Sequence, residues 1–128
     1  YINQLWNFLL ENRIILDFSK IIIAGDWNSN AQSNNKRSEG NHSDVVQLLK
    51  GENVHSAYHD FQNSAHGSER EATFFLYRNI EKPYHFDYIF AHKTWLKQGY
   101  SFSLLKPTQW LKYSDHMPII LDTKSSNF

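Results

Sequence analysis

The pattern of apolar and polar positions in the first half of the chain predicts helices on either side of one buried strand. Tyr1 to Asn12 carries apolar residues at helical spacing with polar residues opposite, which predicts an amphipathic helix. A strand is predicted from Lys20 to Ala24, because the apolar run that begins at Ile21 is short and rich in β-branched side chains, as in a strand covered on both faces. A second short helix is predicted with Ser43 as its N-cap and an end at Gly51.

The second half of the chain is predicted to contribute mainly strands. The predicted strands are Val54 to Phe61, Thr73 to Tyr77, Tyr84 to Phe90, Tyr100 to Leu105 and a last one ending at Leu121. Within the third, alternation places two sets of side chains on opposite faces, an aromatic set of Phe86, Tyr88 and Phe90 and a second set of His85, Asp87 and Ile89. The aromatic face is predicted to be core. A carboxylate in mid-strand between aromatic residues needs a hydrogen-bonding or charged partner, so we expect one for Asp87.

Polar residues follow the first predicted strand directly. Because residues two apart on an extended chain point the same way, Asp26 and Asn28 are predicted to project together while Trp27 turns aside to pack. Gly25 is predicted to permit an unusual backbone angle. A carboxylate binds a hard cation or orients a water, and a carboxamide holds a phosphate oxygen through its NH2 group. The alternative is an ordinary turn, because Gly-Asp and Asn-Ser are common turn formers.

The composition narrows the class of protein. At 128 residues the chain is long enough for one domain with a genuine core, and its thirteen basic and thirteen acidic residues exclude a global positive field. The absence of cysteine excludes disulfides and thiolate metal sites, and no apolar run is long enough to span a membrane. Seven histidines suggest zinc, but they are scattered along the chain, which favours ordinary histidines. Lys36 and Arg37, in a polar segment predicted to be an exposed loop, are a candidate contact for an anion or simply solvated.

Three segments together resemble a known family. GDWN at 25–28, YHFDYIF at 84–90 and SDHMPI at 114–119 match, in order and spacing, the C-terminal half of the endonuclease/exonuclease/phosphatase family. That family includes pancreatic-type deoxyribonucleases, abasic-site endonucleases, inositol polyphosphate 5-phosphatases and bacterial sphingomyelinases. The resemblance implies an α/β fold of the α+β type, in which residues 1–128 form one domain. This domain would be half of a four-layer α/β sandwich, with one mixed, largely antiparallel sheet and helices on its outer face.

The resemblance also implies a site for a phosphoester and a divalent metal, Mg2+ or Mn2+. The implied catalytic residues are Asp26, Asn28, Asp87, Asp115 and His116. Asp26 would orient or activate the attacking water, and Asp115 would lie near the metal or assist proton movement, so these two are the implied metal ligands. Asn28 and His116 would bind the phosphate, with Asp87 holding the His116 imidazole. His85, where many relatives have Arg, is a third implied phosphate contact.

The sequence departs from the family in one respect. The chain begins at Tyr1, and the early Asn and metal-binding Glu of the family cannot be placed in it, so we expect a fragment that lacks the N-terminal half. Metal binding and activity of the chain alone are therefore left open. The implied substrates are nucleic acid, phosphorylated small molecules or lipid head groups. The alternative is a non-catalytic half-domain that pairs with its missing half or self-associates as a homodimer through an exposed sheet face.

Overall fold

A computed structural model of the chain describes residues 1–33, 38–97 and 99–124, so Lys36 and Arg37 lie outside the described residues. The helices are Ile2–Asn12 (α1), His42–Gly51 (α2), Ala57–Gln62 (α3) and Pro107–Trp110 (α4). The strands are Ile22–Asp26 (β1), Val54–Ser56 (β2), Phe74–Phe75 (β3), Pro83–Tyr84 (β4), Asp87–His92 (β5), Ser101–Leu104 (β6) and Ile119–Asp122 (β7). Both helices and the strand predicted for the first half of the chain are present.

The strands confirm the predicted α+β class with an antiparallel sheet. β5 is the central strand of a three-stranded sheet and pairs antiparallel with β1 on one side and β2 on the other. β3 pairs with β4 and β6 with β7, again antiparallel. The described strands thus lie in three small antiparallel sheets, whereas the sequence predicted one mixed sheet. Within the described ranges no helix has both the length and the apolarity needed to cross a bilayer, as predicted.

The predicted strand over Tyr84 to Phe90 is divided between two sheets. β4 pairs with β3, whereas β5 pairs with β1 and β2. The break falls at His85 and Phe86, where the backbone N–H groups of Phe86 and Asp87 donate to the side chain of Thr73. Because the chain changes partners here, the predicted alternation does not extend back to His85, and the side chain of that residue is buried.

Two further predicted strands are shorter in the structure. The prediction of a strand from Val54 to Phe61 was wrong beyond β2, because α3 begins directly after it with Ser56 as the N-cap. The C-cap of α3, Asn63, has the left-handed conformation with φ of 51°. β3 is likewise followed by a turn in which Tyr77 has φ of 58°.

The N-cap of α2 is Asn41 and not, as predicted, Ser43. The Asn41 side chain accepts a hydrogen bond from the backbone N–H of Asp44 at 3.0 Å. The Asp44 carboxylate in turn accepts from the N–H groups of Gly40 and Asn41 at 2.8 and 3.2 Å. This is a capping box, which satisfies backbone donors that a Ser43 cap would have left without partners.

The largest core cluster lies on one face of β5, between the strand and the first two helices. Tyr88 and Phe90 are fully buried there, and Trp27 stacks on Phe90 with ring centroids 4.5 Å apart. Leu9 and Leu49 complete the cluster from α1 and α2. The Tyr88 hydroxyl lies 2.9 Å from the carbonyl oxygen of Ser29, so it also anchors the loop that follows β1. The predicted inward packing of Trp27, Tyr88 and Phe90 is confirmed. Phe86, predicted on the same face, lies before β5 and packs half-buried against Phe74 and Tyr84 instead.

One buried threonine joins three separate segments. Thr73 is fully buried; its N–H donates to the carbonyl of Tyr84 and its own carbonyl accepts from the N–H of Met117 at 2.7 Å. Its hydroxyl oxygen accepts from the N–H groups of Phe86 and Asp87 at 2.9 and 3.0 Å. Thr73 therefore fixes the end of β4, the start of β5 and the segment before β7 relative to one another.

We expect Thr73→Val to lower the free energy of unfolding by about 2–4 kcal/mol, because it leaves two buried N–H groups without an acceptor. Thr73→Ser is the matched control: it keeps the hydroxyl and removes one methyl group, which costs about 1 kcal/mol. Urea unfolding of both variants gives the comparison. Equal losses in the two variants would contradict the proposed role of the hydroxyl.

Candidate functional site

The register of the central sheet places two carboxylates opposite each other. Asp26 at the end of β1 is the cross-strand partner of Asp87 at the start of β5. Gly25, just before Asp26, has φ of 143°, so the predicted unusual backbone angle is confirmed. Like charges at paired positions repel each other, so the pair requires a cation or a proton nearby.

His116 lies between the two carboxylates. Its Nδ1 is 2.9 Å from Oδ2 and 3.1 Å from Oδ1 of Asp87, and its Nε2 is 3.9 Å from Oδ2 of Asp26. The carboxylate of Asp87 accepts the proton on Nδ1, which directs Nε2 towards Asp26. The side chains of Asp26 and His116 are 46% and 34% exposed, so an incoming ligand can reach this edge of the site.

Backbone contacts hold His116 in place. The residue forms a bridge with Phe74 of β3, and its ring packs against the Phe74 ring with centroids 4.6 Å apart. On either side of it, the Asp115 carbonyl accepts from Phe75 and the Met117 N–H donates to Thr73. The His116 N–H donates to Oγ of Ser114, so the SDH motif also forms its own turn.

The surrounding carboxylates favour the charged form of His116. Burial alone lowers the pKa of the imidazole, but the hydrogen bond to Asp87 and the negative charges of Asp87, Asp26 and Asp115 outweigh it. The pKa of His116 is therefore raised above its ordinary value. A larger fraction of the protein then carries an imidazolium at this position at neutral pH, which suits contact with an anion.

The structure places the other predicted site residues, Asn28, Asp115 and His85, in three different environments. Asn28 is exposed immediately after β1, with φ of 47°, and its N–H donates to Oδ1 of Asp26 at 2.7 Å, so the turn reading of this stretch is also correct. Asp115 is half-buried beside His116. His85 is not brought to the site, because its ring is buried against Tyr58 and its Nδ1 is bonded to the carbonyl of Glu71. A phosphate contact by His85 is not compatible with this placement.

The carboxylates fit a hard cation bound on the exposed side. Asp26, Asp87 and His116 each offer one ligand atom within 4.8 Å of the others, and Asp115 does not belong to this group. Asp87 is committed to His116, which leaves the exposed Oδ2 of Asp26 as the oxygen with free coordinating capacity. Mg2+ is commonly held by one or two carboxylates together with substrate phosphates and water, so one exposed carboxylate is a sufficient protein ligand.

Sequence reasoning missed two features of the molecule. Thr73 positions Asp87 through a backbone hydrogen bond, and no spacing signal identifies such a role in advance. A second group of potential ligands, formed by His59, His66 and Glu69, lies within 4.8 Å as well. The spacing of its members resembles no metal motif, so only the folded chain shows it.

We expect Asp87→Asn to lower the pKa of His116, because the substitution removes the charge that accepts the Nδ1 proton. Asp26→Asn should lower it less, since Asp26 acts only through its charge at 3.9 Å. Titration of the His116 ring by NMR tests this order. The folded pKa of wild-type His116 lies above the unfolded value, so its contribution to stability is complete below about pH 6.5 and disappears as the pH rises through the folded pKa. An unchanged pKa in Asp87→Asn would contradict this account.

Comparison with known proteins identified no homologue of the chain. No protein-family model, curated protein or solved structure matches the chain. The three motifs and the arrangement of Asp26, Asp87 and His116 are therefore the basis for a functional assignment.

Proposed function

We propose that the chain is the C-terminal half of an endonuclease/exonuclease/phosphatase domain, one half of its four-layer sandwich, and acts in metal-dependent hydrolysis of phosphoesters. The observation that carries the proposal is the His116 imidazole held by Asp87 next to the exposed carboxylate of Asp26. These residues come from three segments that are distant in the sequence, and each is the central polar residue of one of the motifs.

The proposed roles follow from charge and exposure. The imidazolium of His116 donates from Nε2 to a non-bridging phosphate oxygen, where negative charge accumulates in the transition state. Asp87 keeps the ring oriented and favours its charged form. Asp26 orients the attacking water and accepts its proton. The exposed carboxamide of Asn28, beside Asp26, donates to the phosphate.

Mg2+ or Mn2+ is the cofactor that these oxygen ligands suit, and when bound it supplies a positive charge that polarises the phosphoryl group. Asp26 is its proposed protein ligand. Asp115 is kept as a proposed second ligand or proton carrier, in line with the resemblance. In the structure its negative charge acts on His116. The chain's own contribution is thus an anion-binding imidazolium next to a carboxylate.

Hydrolysis of bis-p-nitrophenyl phosphate in the presence of Mg2+ tests this function. We expect Asp26→Ala and His116→Ala each to reduce the rate by about 100-fold or more, as for loss of a group that stabilises transition-state charge. His92→Ala is the control: His92 lies at the far end of β5, where its ring bonds Thr94. Circular dichroism establishes that each variant is folded.

A rate that is absent, or that is unaffected by chelator and by both substitutions, would refute catalysis by this site. Calorimetric titration with Mg2+ gives a second measurement that does not depend on turnover. We expect heat of binding from the wild type and a loss of that heat in Asp26→Ala. Binding without hydrolysis would restrict the proposal to the metal site.

A second candidate function is self-association through a sheet face, favoured by exposed apolar side chains. Ile22 of β1 is 49% exposed. Ala24 is exposed on the same side of β1 as Ile22. Within the described residues β1 pairs only with β5, so its other edge is available. Association through this face would bury apolar surface in a second copy of the chain.

Sedimentation tests the association. We expect the wild type to sediment as a dimer at high concentration and Ile22→Lys to shift it to monomer, because a charge in the interface must be desolvated. Ile14→Lys is the matched control, since Ile14 is fully exposed in the turn after α1 and away from the sheet. A monomeric wild type would contradict this second candidate.

A further inference from the structure

A second cluster of potential ligands lies on the opposite face of β5 from His116. It consists of His59 of α3 together with His66 and Glu69 of the loop that follows, and we name it the histidine cluster. The rings of both histidines lie near Tyr88, at centroid distances of 6.3 and 6.4 Å. Tyr88 and Asp87 are neighbours on a strand and project to opposite faces, so the histidine cluster is separate from the phosphate site.

The cluster is compact and deeply placed. His59 Nε2 lies 2.8 Å from Oε1 of Glu69, and the side chains of these residues are 6% and 2% exposed. The ring of His66 stacks on that of His59 with centroids 3.6 Å apart. A tetrahedral ion with bonds of about 2.1 Å holds its ligand atoms about 3.4 Å apart. The three ligand atoms lie within 4.8 Å of one another, and because the two rings stack with only 16° between their planes, one ring must also turn before both nitrogens point to one ion.

Only some of the buried imidazole nitrogens in and around the histidine cluster have hydrogen-bond partners. Ser56 Oγ lies 2.7 Å from Nδ1 of His59, so both nitrogens of that ring have partners. Nδ1 of His66 is buried and has no partner among the described residues. The same holds for Nε2 of His42 and of His85, whose residues are 1% and 5% exposed. Buried polar atoms without partners are uncommon in folded proteins, and three around one carboxylate require an explanation.

The imidazole rings of His42 and His85 lie next to the histidine cluster. The ring of His42 lies 5.7 Å from that of His66, and the ring of His85 lies 5.9 Å from that of His59. Burial lowers the pKa of His42 to about 4 and that of His66 to about 3.

The carboxylate of Glu69 is a buried negative charge. Burial raises its pKa, but hydrogen bonds from His59, the N–H of Gly67 and the side chain of Asn30 more than reverse this and lower it. The Glu69 carboxylate is consequently ionised, with three hydrogen-bond donors around it. A buried charge is costly unless it is paired, and a bound cation would pair it while giving the imidazole nitrogens a partner.

We propose that His59, His66 and Glu69 bind a divalent transition-metal ion of the zinc class, with His42 and His85 as the nearest further imidazoles. Two nitrogens and one carboxylate suit Zn2+, whereas Mg2+ prefers oxygen ligands. Ser56 is the partner that orients the His59 ring. An open cleft of about 520 Å3, lined by both His59 and His66, provides the path of entry. The ion would fix the loop of residues 63–69 to α3.

Titration of the intact, chelator-treated chain with Co2+ tests the site. Tetrahedral Co2+ with nitrogen ligands absorbs visible light, so we expect a band that saturates at one ion per chain and disappears when Zn2+ displaces it. Zn2+ should also raise the thermal unfolding midpoint by about 5 °C, because it binds the folded chain preferentially. Absence of the band and of the thermal shift would overturn the proposal.

Two variants assign the ion to this cluster. We expect Glu69→Gln and His66→Gln each to weaken Co2+ binding at least about 10-fold, as loss of a ligand requires. His66 is only half-buried and lies in a loop, so its variant decides the question if Glu69→Gln does not fold. His92→Gln is the matched histidine control, and Asp26→Asn separates this site from the phosphate site. Binding that is unchanged in His66→Gln, or lost in Asp26→Asn, would overturn the assignment.

Discussion

The pairing of Asp26 with Asp87 is the constraint on which the site depends. The antiparallel register of β1 and β5 places these two carboxylates opposite each other at the end of the sheet. Two unit charges 4 Å apart repel by about 1 kcal/mol in water and by about 4 kcal/mol near a protein surface. Because Asp26 is half-exposed, the cost lies toward the lower value, but the sheet still gains nothing from the pair itself. When its imidazole is protonated, His116 places a positive charge between the two carboxylates and attracts both of them.

His116 can do so only because the fold brings a third segment to the same edge. The residue lies 90 positions after Asp26, and its backbone is fixed by a bridge to β3 and not by the central sheet. Thr73 connects the two parts, since its hydroxyl holds the start of β5 and its carbonyl holds the residue after His116. Thr73 therefore sets the distance between Asp87 and His116 together with the bridge to β3, although its own side chain bonds only to backbone N–H groups.

The sequence predicted the polar residues of the site better than the elements that carry them. Asp26 and Asp87 were noted as carboxylates at the end of or within apolar strands, whereas His116 was identified through the resemblance of its motif to the family, and the structure brings the three together. His85 was misplaced because alternation was extended through a change of sheet that depends on Thr73, a contact between distant segments. The helix after β2 was missed for a local reason, since it begins at Ala57, directly after the last residue of the strand. The histidine cluster was missed because its members lie near each other only after folding.

β5 separates two chemically different environments. Asp87 on one face belongs to an exposed, oxygen-rich edge, where a hard cation and a phosphate are compatible with water. Tyr88 and Phe90 on the other face border a buried, nitrogen-rich cluster, where a softer metal ion would replace missing hydrogen bonds. The backbone of β5 and its ring of aromatic residues lie between them, so neither set of ligands can reach the other. Alternating side chains on one strand would thus keep the two proposed sites from competing for the same ion.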